Sequence, residues 1–309
     1  MILFKRASEL AGHLERERSA GKKIGFVPTM GALHPGHISL IEISKGATEL
    51  TVCSIFVNPT QFNDPRDFQK YPVTIEKDIY LLEKAGTDVL FLPEVDEMYP
   101  GGTNNLEKYD LGRLEEVLEG KYRPGHFQGV AQVMRRLLDM VQPHHLFMGQ
   151  KDYQQCMVVS RLLELMGRPG TILHPCPILR EADGLAMSSR NLRLTETERK
   201  NATAIYQALS WIKMNQGSAP IPELKAHAKA MLEKSGFRVD YVEIADAGTL
   251  EAIGEGGGST AGGVAEEMAG GSAAGEPGGE TAGAGTVRGA VALVAAFQGE
   301  VRLIDNMLL

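Results

Sequence analysis

The sequence is poor in the features that tie a chain to a special environment. Among 309 residues there are 3 cysteines and 1 tryptophan, and Cys53, Cys156 and Cys176 are widely spaced with no C-x-x-C pair. An odd, scattered set argues against a disulfide framework or a structural zinc site and leaves reduced thiols. No apolar run approaches the roughly 18 residues that a membrane span needs. The opening stretch, MILFKRASELAGHLERERSAGKK, lacks the apolar core of a secretory signal. Excess positive charge is missing too. The 32 lysines and arginines against 39 acids give −7, which disfavours a polynucleotide partner. A cytoplasmic protein without membrane or nucleic-acid partners is the expectation.

What is present is ordinary globular composition, 43% hydrophobic and 23% charged, in a chain long enough for one large domain or two smaller ones. In the first half, KKIGFVPT, LTVCSIFV, TDVLFLP, HHLFMG and TILHPCPIL read as five buried strands. Between them ISLIEISKGA, TIEKDIYLLEKAG, FQGVAQVMRRLLDMVQ and YQQCMVVSRLLELMG carry helical apolar spacing. Strands interleaved with helices predict an α/β, Rossmann-like doubly wound parallel sheet, with ligands beyond the strands' carboxyl ends. After residue 186 the pattern changes. LTETERKNATAIYQALSWIK opens on a Thr195–Glu198 capping box, a second helix follows, and then FRVDYVEIAD, GAVALVAAF and EVRLIDN read as strands without helices between them. The expected division is 1–186, then a smaller α+β unit at 187–309. Within that unit, 13 of the 32 residues at 254–285 are glycine and none is aromatic or basic, which predicts a flexible insert.

Four stretches at expected strand ends or at the junction carry chemistry. In PTMGALHPGH, His34 and His37 flank Pro35 and Gly36. Spacing of three and no acid in the motif argue against a metal pair. A helix opening at Pro35 would instead offer N–H groups and a positive dipole end to phosphate, with an ordinary turn as the plain alternative. FVNPTQFN supplies Asn58 and Gln61, neutral amides suited to hydroxyls and a carboxylate, or simply an Asn-Pro turn. GQKDYQQ supplies Lys151 as a point charge, Asp152 to accept from ribose hydroxyls, and Gln155 on the next helix. EADGLAMSSRN supplies Ser188, Ser189 and Arg190 for a loop that closes on phosphates. The adjacent His144 and His145 point to opposite faces of a strand and read as structural.

Together PTMGALHPGH, SIFVNPTQF, RPGHFQGV, KDYQQ and READGLAMSSRN resemble, in order and spacing, the pantoate–β-alanine ligases. These nucleotidyl-transferring enzymes share an H-x-G-H motif with class I aminoacyl-tRNA synthetases, whose KMSKS loop MSSRN is similar to. The resemblance implies condensation of pantoate with β-alanine through pantoyl adenylate, with ATP as substrate, Mg²⁺ and a homodimer. Residue by residue it implies ATP contacts at Met30, Gly31, Ala32, Leu33, His34, Pro35, Gly36 and His37, at Gly149, Gln150, Lys151 and Asp152, at Leu179, and at Met187, Ser188, Ser189 and Arg190. His37 is implied as proton donor, with His34, Lys151, Ser188 and Arg190 beside it in the catalytic set. Gln61 and Gln155 would hold pantoate, and Gln61 also β-alanine. Gln150 departs from the glutamate of many members, and Lys77 precedes Asp78 where some members have paired acids near magnesium, so no metal ligand is assigned. The Gly/Ala-rich insert is similar to that of plant members. A transferase that stops at a nucleotidyl product is the rival enzyme reading, and a tRNA-binding relative or non-catalytic module the rival outside enzymes.

Overall fold

The computed structural model describes residues 1–253 and 289–309, and the expectation for 254–285 falls outside these residues. Six strands form a parallel sheet in the order β1-β4-β3-β2-β5-β6. They are β1 Ile2–Phe4, β2 Ile24–Thr29, β3 Leu50–Ile55, β4 Val89–Phe91, β5 His145–Gly149 and β6 Ile172–Cys176. The connections carry α1 Ala7–Ser19, α2 Pro35–Ala47, α3 Pro65–Gln69, α4 Ile75–Lys84, α5 Val95–Met98, α6 Leu118–Tyr122, α7 His126–Val141 and α8 Tyr153–Leu165. Alternate side chains feed two layers, as a sheet covered on both faces requires. Phe26, Val52, Phe91 and Leu146 pack with α1, α7 and α8, while Val27, Cys53, Leu90 and Phe147 pack with α2 and α4. Cys53, Cys156 and Cys176 are all buried free thiols.

The doubly wound reading holds, with one strand more than the five expected. β1 has only three residues, too few to display alternation, and it pairs with β4 alone at the sheet edge. The helix expected over LTETERKNATAIYQALSWIK is also two, α9 Glu196–Asn201 and α10 Ala204–Asn215. At the break, the Thr203 hydroxyl donates to the Lys200 carbonyl at 3.0 Å and competes with the helical ladder. The capping box is present, with Thr195 Oγ1 accepting from Glu198 N and the Glu198 carboxylate accepting from Thr195 N.

The strand order reverses at β2, which stands between β3 and β5. β2 pairs with β3 over its whole length but with β5 only at Gly25 and Phe26. Beyond that point the strands part, and Pro28 brings no N–H to bridge the gap. A parallel sheet that forks at its switch point leaves an open crevice at the carboxyl ends of the parted strands, the place where such folds take ligands. The stretches after Thr29 and after Gly149 both start there.

The second sheet, β7 Arg238–Asp246, β8 Ala290–Gln298 and β9 Val301–Leu308, is antiparallel in the order β7-β8-β9. Its apolar face meets α10 and α11 Ile221–Lys234 through Ile205, Leu209, Leu224, Leu232, Val242, Val294 and Leu303. Among the described residues no helix is long and apolar enough to cross a membrane. The second sheet docks on the loop after β5. Asn306 Nδ2 donates to the carbonyls of Gln150 and Lys151, each at 2.9 Å, and Tyr153 Oη donates to Ala247 O at 2.7 Å.

Candidate active site

Past Thr29 the chain turns through Gly31 (φ 79°) and Ala32 (φ 49°), both left-handed. Glycine adopts that geometry freely, but for alanine it costs on the order of 1–2 kcal/mol. Asp78 compensates. This fully buried α4 carboxylate accepts from Ala32 N at 2.9 Å, Leu33 N at 2.8 Å and the Thr74 hydroxyl at 3.0 Å. Its oxygens therefore face the amides of the turn, which is a structural use of the acid that the sequence reading associated with magnesium.

The fixed turn delivers His34 and His37 to the start of α2, where Pro35 takes the first helical position. His34 N donates to His37 Nδ1 at 3.4 Å. An Nδ1 that accepts leaves the proton of a neutral ring on Nε2. Burial, then His34 and Lys151, hold the His37 pKa well below 6.5. Burial and Lys151, opposed by Asp152, bring His34 to about 4. Both rings, 4.0 Å apart at their centroids, are thus neutral at pH 7. Among the described residues His34 Nδ1 is buried without a partner, an unmet polar group that a ligand would satisfy.

Gln61 follows β3 on a short 3-10 turn, Pro59–Gln61, that sits against α7. The approach is close, since a Cβ on Gly129 would lie 2.3 Å from the Thr60 carbonyl oxygen. Asn58 Nδ2 donates to the Gly129 carbonyl and to Gln61 Oε1, at 3.1 and 3.2 Å. With Oε1 tied, Gln61 turns Nε2 toward Met30 Sδ at 3.1 Å and presents a donor to the cavity. Asn58 Oδ1 accepts from Tyr99 Oη at 2.8 Å, so it is an anchor for Gln61.

The loop at 187–190 is held by a hairpin. Met187 N donates to Leu179 O at 3.1 Å, which sets the two expected nucleotide contacts side by side. Arg180 at its base makes two bonds to Asp305, at 2.6 and 3.0 Å. Ser188 Oγ accepts from Arg190 N at 3.3 Å, leaving its O–H free to donate elsewhere. Asp67 on α3 receives Arg190 Nη2 at 2.8 Å and Arg193 Nη1 at 2.6 Å, and Tyr71 Oη meets Ser189 Oγ at 3.3 Å. Burial opposes ionisation of Asp67, but Arg190 and Arg193 outweigh it and lower its pKa.

One cavity of about 200 Å³ gathers Met30, His34, Gly36, His37, Gln61, Gly149, Lys151, Asp152, Gln155, Leu179, Met187, Ser188, Ser189 and Arg190. Gly31, Ala32, Leu33, Pro35 and Gln150 do not line it. Ala32 and Leu33 turn into the core, and Gln150 Nε2 faces Asn306 Oδ1 at 3.3 Å. At its far end the cavity is apolar, with Phe56, Val130, Val133, Met134 and Leu137. A second cavity of about 570 Å³ adjoins it and shares Lys151, Asp152, Ser188 and Arg190.

Sequence reasoning missed the groups behind these walls: Asp67, Tyr71, Asp78 in its actual use, and a network around Glu119. Glu119 accepts from Arg302 at 2.7 and 2.8 Å and from Tyr241 Oη at 2.9 Å. Burial pushes its carboxyl up, yet Arg302 and Arg123 outweigh burial and hold it at about 2. Arg123 Nη1 lies 3.1 Å from His126 Nε2, and His126 Nδ1 lies 2.8 Å from the Gln61 carbonyl oxygen. A guanidinium only donates and a carbonyl only accepts, so His126 carries its proton on Nδ1. Burial, then Arg123, hold its pKa at about 3 and keep it neutral. RPGHFQGV contains both residues, but their partners come from other parts of the chain. His144 and His145 stay outside the site. His144 Nδ1 accepts from Ile24 N at 2.9 Å, and the His145 and His174 rings meet at 2.9 Å on β5 and β6, with His145 opposite Gly25 where β2 and β5 still pair.

A forked parallel sheet with phosphate-suited groups at the helix start after β2, a lysine after β5 and a Ser-Ser-Arg loop opposite them defines a nucleotide-dependent α/β enzyme. The family model described as pantoate-beta-alanine ligase matches residues 2–308. Pantothenate synthetase of Cytophaga hutchinsonii is 45% identical over 258 residues, 82% of this chain and 90% of that protein. That of Caldicellulosiruptor bescii is 37% identical, covering 99% of this chain and 98% of its own. The crystal structure of pantothenate synthetase from Thermus thermophilus superposes with a TM-score of 0.83 at 37% identity, covering 99% of both chains. A pantoate-beta-alanine ligase from Francisella tularensis, complexed with beta-gamma ATP and beta-alanine, superposes with a TM-score of 0.74 at 32% identity, over 100% of this chain and 97% of that one. The chain belongs to the pantoate–β-alanine ligase family.

Proposed function

We propose that the chain condenses pantoate with β-alanine at the expense of ATP, giving pantothenate, AMP and pyrophosphate through pantoyl adenylate. The observation that carries this reading is one small cavity that offers cationic and neutral donors at one end and an apolar wall at the other. A pantoate oxygen attacks the α-phosphorus, the new P–O bond forms as the bridging P–O bond breaks, and pyrophosphate leaves. The β-alanine nitrogen then attacks the acyl carbon, loses a proton, and expels AMP as the C–N bond forms.

Each assignment rests on the geometry above. His37 acts as a neutral donor through Nε2–H to phosphate oxygen, and His34 Nδ1 gains there the partner it lacks. Lys151, Arg190 and the Ser188 hydroxyl take the charge that grows on the leaving phosphates. Ser189, Met30 and Gly36 complete the phosphate wall, and Leu179 and Met187 offer backbone to the base. Gln61 Nε2 and Gln155 hold the pantoate carboxylate and hydroxyls, and Val130, Val133 and Met134 suit its methyl groups. Gln61 also faces the incoming amine. Among the described residues no group of three His, Cys, Asp or Glu side chains is placed to hold a metal ion, and Asp152 is the single carboxylate on the smaller cavity. Mg²⁺ would therefore take its oxygens chiefly from ATP and water, as it commonly does, and would neutralise phosphate charge.

The proposal includes a cytoplasmic homodimer, with 187–309 closing as a lid about a hinge near residue 186; sedimentation at micromolar concentration tests the dimer. The main test is release of pyrophosphate and AMP from Mg-ATP, first with pantoate alone and then with β-alanine added. One equivalent of pyrophosphate, becoming steady turnover on addition of the amine, is expected. Steady pyrophosphate release with pantoate alone, without AMP, would favour a nucleotidyl transferase that stops at its first product.

A further inference from the structure

The reaction proposed above needs a place for the carboxylate of the amine substrate, and the groups assigned so far do not provide one. Lys151, Arg190 and the histidines serve phosphate, and the glutamines serve pantoate. The charged side chains around the larger cavity are mostly matched. Arg302 is bonded to Glu119 and, through Nε at 2.8 Å, to Asp240, while Arg190 and Arg193 share Asp67.

Arg123 is the exception among the buried guanidiniums there, whereas Arg238, 3.7 Å from Asp240, is exposed. Its Nε donates to Asn63 Oδ1 at 3.4 Å, and its Nη1 reaches His126 Nε2 at 3.1 Å, so both hydrogen-bond partners among the described residues are neutral. The nearest carboxylate oxygen, on Glu119, is 3.6 Å away and already held by Arg302. The side chain is only 16% exposed, yet it lines the larger cavity. A guanidinium has five N–H donors, and a buried cation short of a counter-charge attracts an anion strongly. Burial, with like charge from Arg190 and Arg302 and against the opposing pull of Glu119, brings its pKa down to about 10. A bound carboxylate would relieve both effects.

Position supports the same reading. His126 links the two sites physically, with Arg123 on one ring nitrogen and the Gln61 carbonyl on the other. Lys151 and Asp152 line both cavities, so the one that holds Gln61 adjoins the one that holds Arg123. The guanidinium lies beyond the imidazole as seen from Gln61. A substrate whose amine and carboxylate are separated by a short methylene chain fits such a pair of contacts.

We propose that Arg123 binds the carboxylate of β-alanine, aims its amine at the acyl carbon held near Gln61, and makes the second step selective for an amine that carries a carboxylate. This rests on the ligase reading. The test compares β-alanine with its neutral amide, 3-aminopropanamide, and separately follows pantoate-dependent exchange of pyrophosphate into ATP, which reports the first step alone. In the unmodified protein the amide should have a kcat/KM about 10- to 100-fold below that of β-alanine, the loss of a charge-assisted pair. Arg123→Gln should keep exchange within a few-fold and lower kcat/KM for β-alanine to the level of the amide, mainly through KM. Arg123→Lys should recover part of the preference. Equal use of acid and amide by the unmodified protein would overturn the assignment without any variant. So would a fall of both nucleophiles by one factor in Arg123→Gln, which is what a purely structural role produces. Absence of pantoate-dependent exchange in the unmodified protein would overturn the ligase reading itself and this assignment with it.

Discussion

Two polar regions meet at Lys151 and Asp152, and they are built in opposite ways. The turn from Thr29 to His37 takes almost all its chemistry from one stretch of chain, with Asp78 bracing its backbone from α4. The patch around Glu119 takes Arg123 from the end of α6, His126 from the start of α7, and Arg302, Asp240 and Tyr241 from the second sheet. One region is held by backbone geometry and the other by paired charge. A change at the histidines of the first should therefore be read mainly in rate, and a change at Glu119, which ties the second together, mainly in stability.

The largest effect should come from the turn. His37→Ala removes a ring whose only side-chain hydrogen bond among the described residues is the 3.4 Å contact from His34 N, so little stability depends on it. Loss of one transition-state donor should lower the pantoate-dependent exchange rate by about 10²–10³-fold. The urea midpoint should stay close to that of the parent. A variant that unfolds early, or that exchanges at the parent rate, would remove the contrast between the two regions.

Next in size is Glu119→Gln, which sharpens the comparison from the other side. The carboxylate is 7% exposed and carries two bonds from Arg302 and one from Tyr241. Removing its charge leaves Arg302 with Asp240 alone and strands Arg123 further. Breaking one partner of a buried ion pair costs on the order of 3–5 kcal/mol. Chemical unfolding should show that loss, while exchange by the folded fraction stays within a few-fold. Unchanged stability would mean that water already screens this patch.

The same contrast explains what was legible in the sequence. PTMGALHPGH could be read as a helix start because Pro35, the glycines and both histidines are neighbours in the chain. Strands β2 and β5 were visible as apolar runs, but their parting after Phe26 was not, since pairing depends on both strands at once. Lys151, Gln155 and the Ser188–Arg190 run were found for the same local reason. Asp78, Asp67 and Glu119 look like surface acids on short or amphipathic helices, and only the packing shows them turned inward. Arg123 and His126 were quoted within a motif, yet their use depends on residue 61 lying one hydrogen bond away, a fact that spacing along the chain does not contain. β1 was lost because three residues carry no period.

The smallest effect is also the one that tests both regions with a single variable, pH. His34 in the turn sits at about 4 and His126 in the patch at about 3, both below an ordinary value of 6.5. Between pH 6.5 and about 4 the unfolded chain binds protons at these rings and the folded protein does not. Stability therefore falls as the solution is acidified across that window, by up to ~1.4 kcal/mol per pH unit for each ring. Glu119, held at about 2 against an ordinary 4.5, adds its own loss only below that higher value. The interval from pH 6.5 to 4.5 thus lies above the loss from Glu119. His126→Asn keeps a side-chain N–H near the position of Nδ1 and can still donate to the Gln61 carbonyl, but it does not titrate. Its urea-derived stability should lose one ring's share of the slope in that interval, while the parent and His37→Ala differ by the share of the turn. A slope in His126→Asn as steep as the parent's would mean that His126 takes up its proton in the folded state at an ordinary pH, with the tie between Arg123 and Gln61 broken whenever it does.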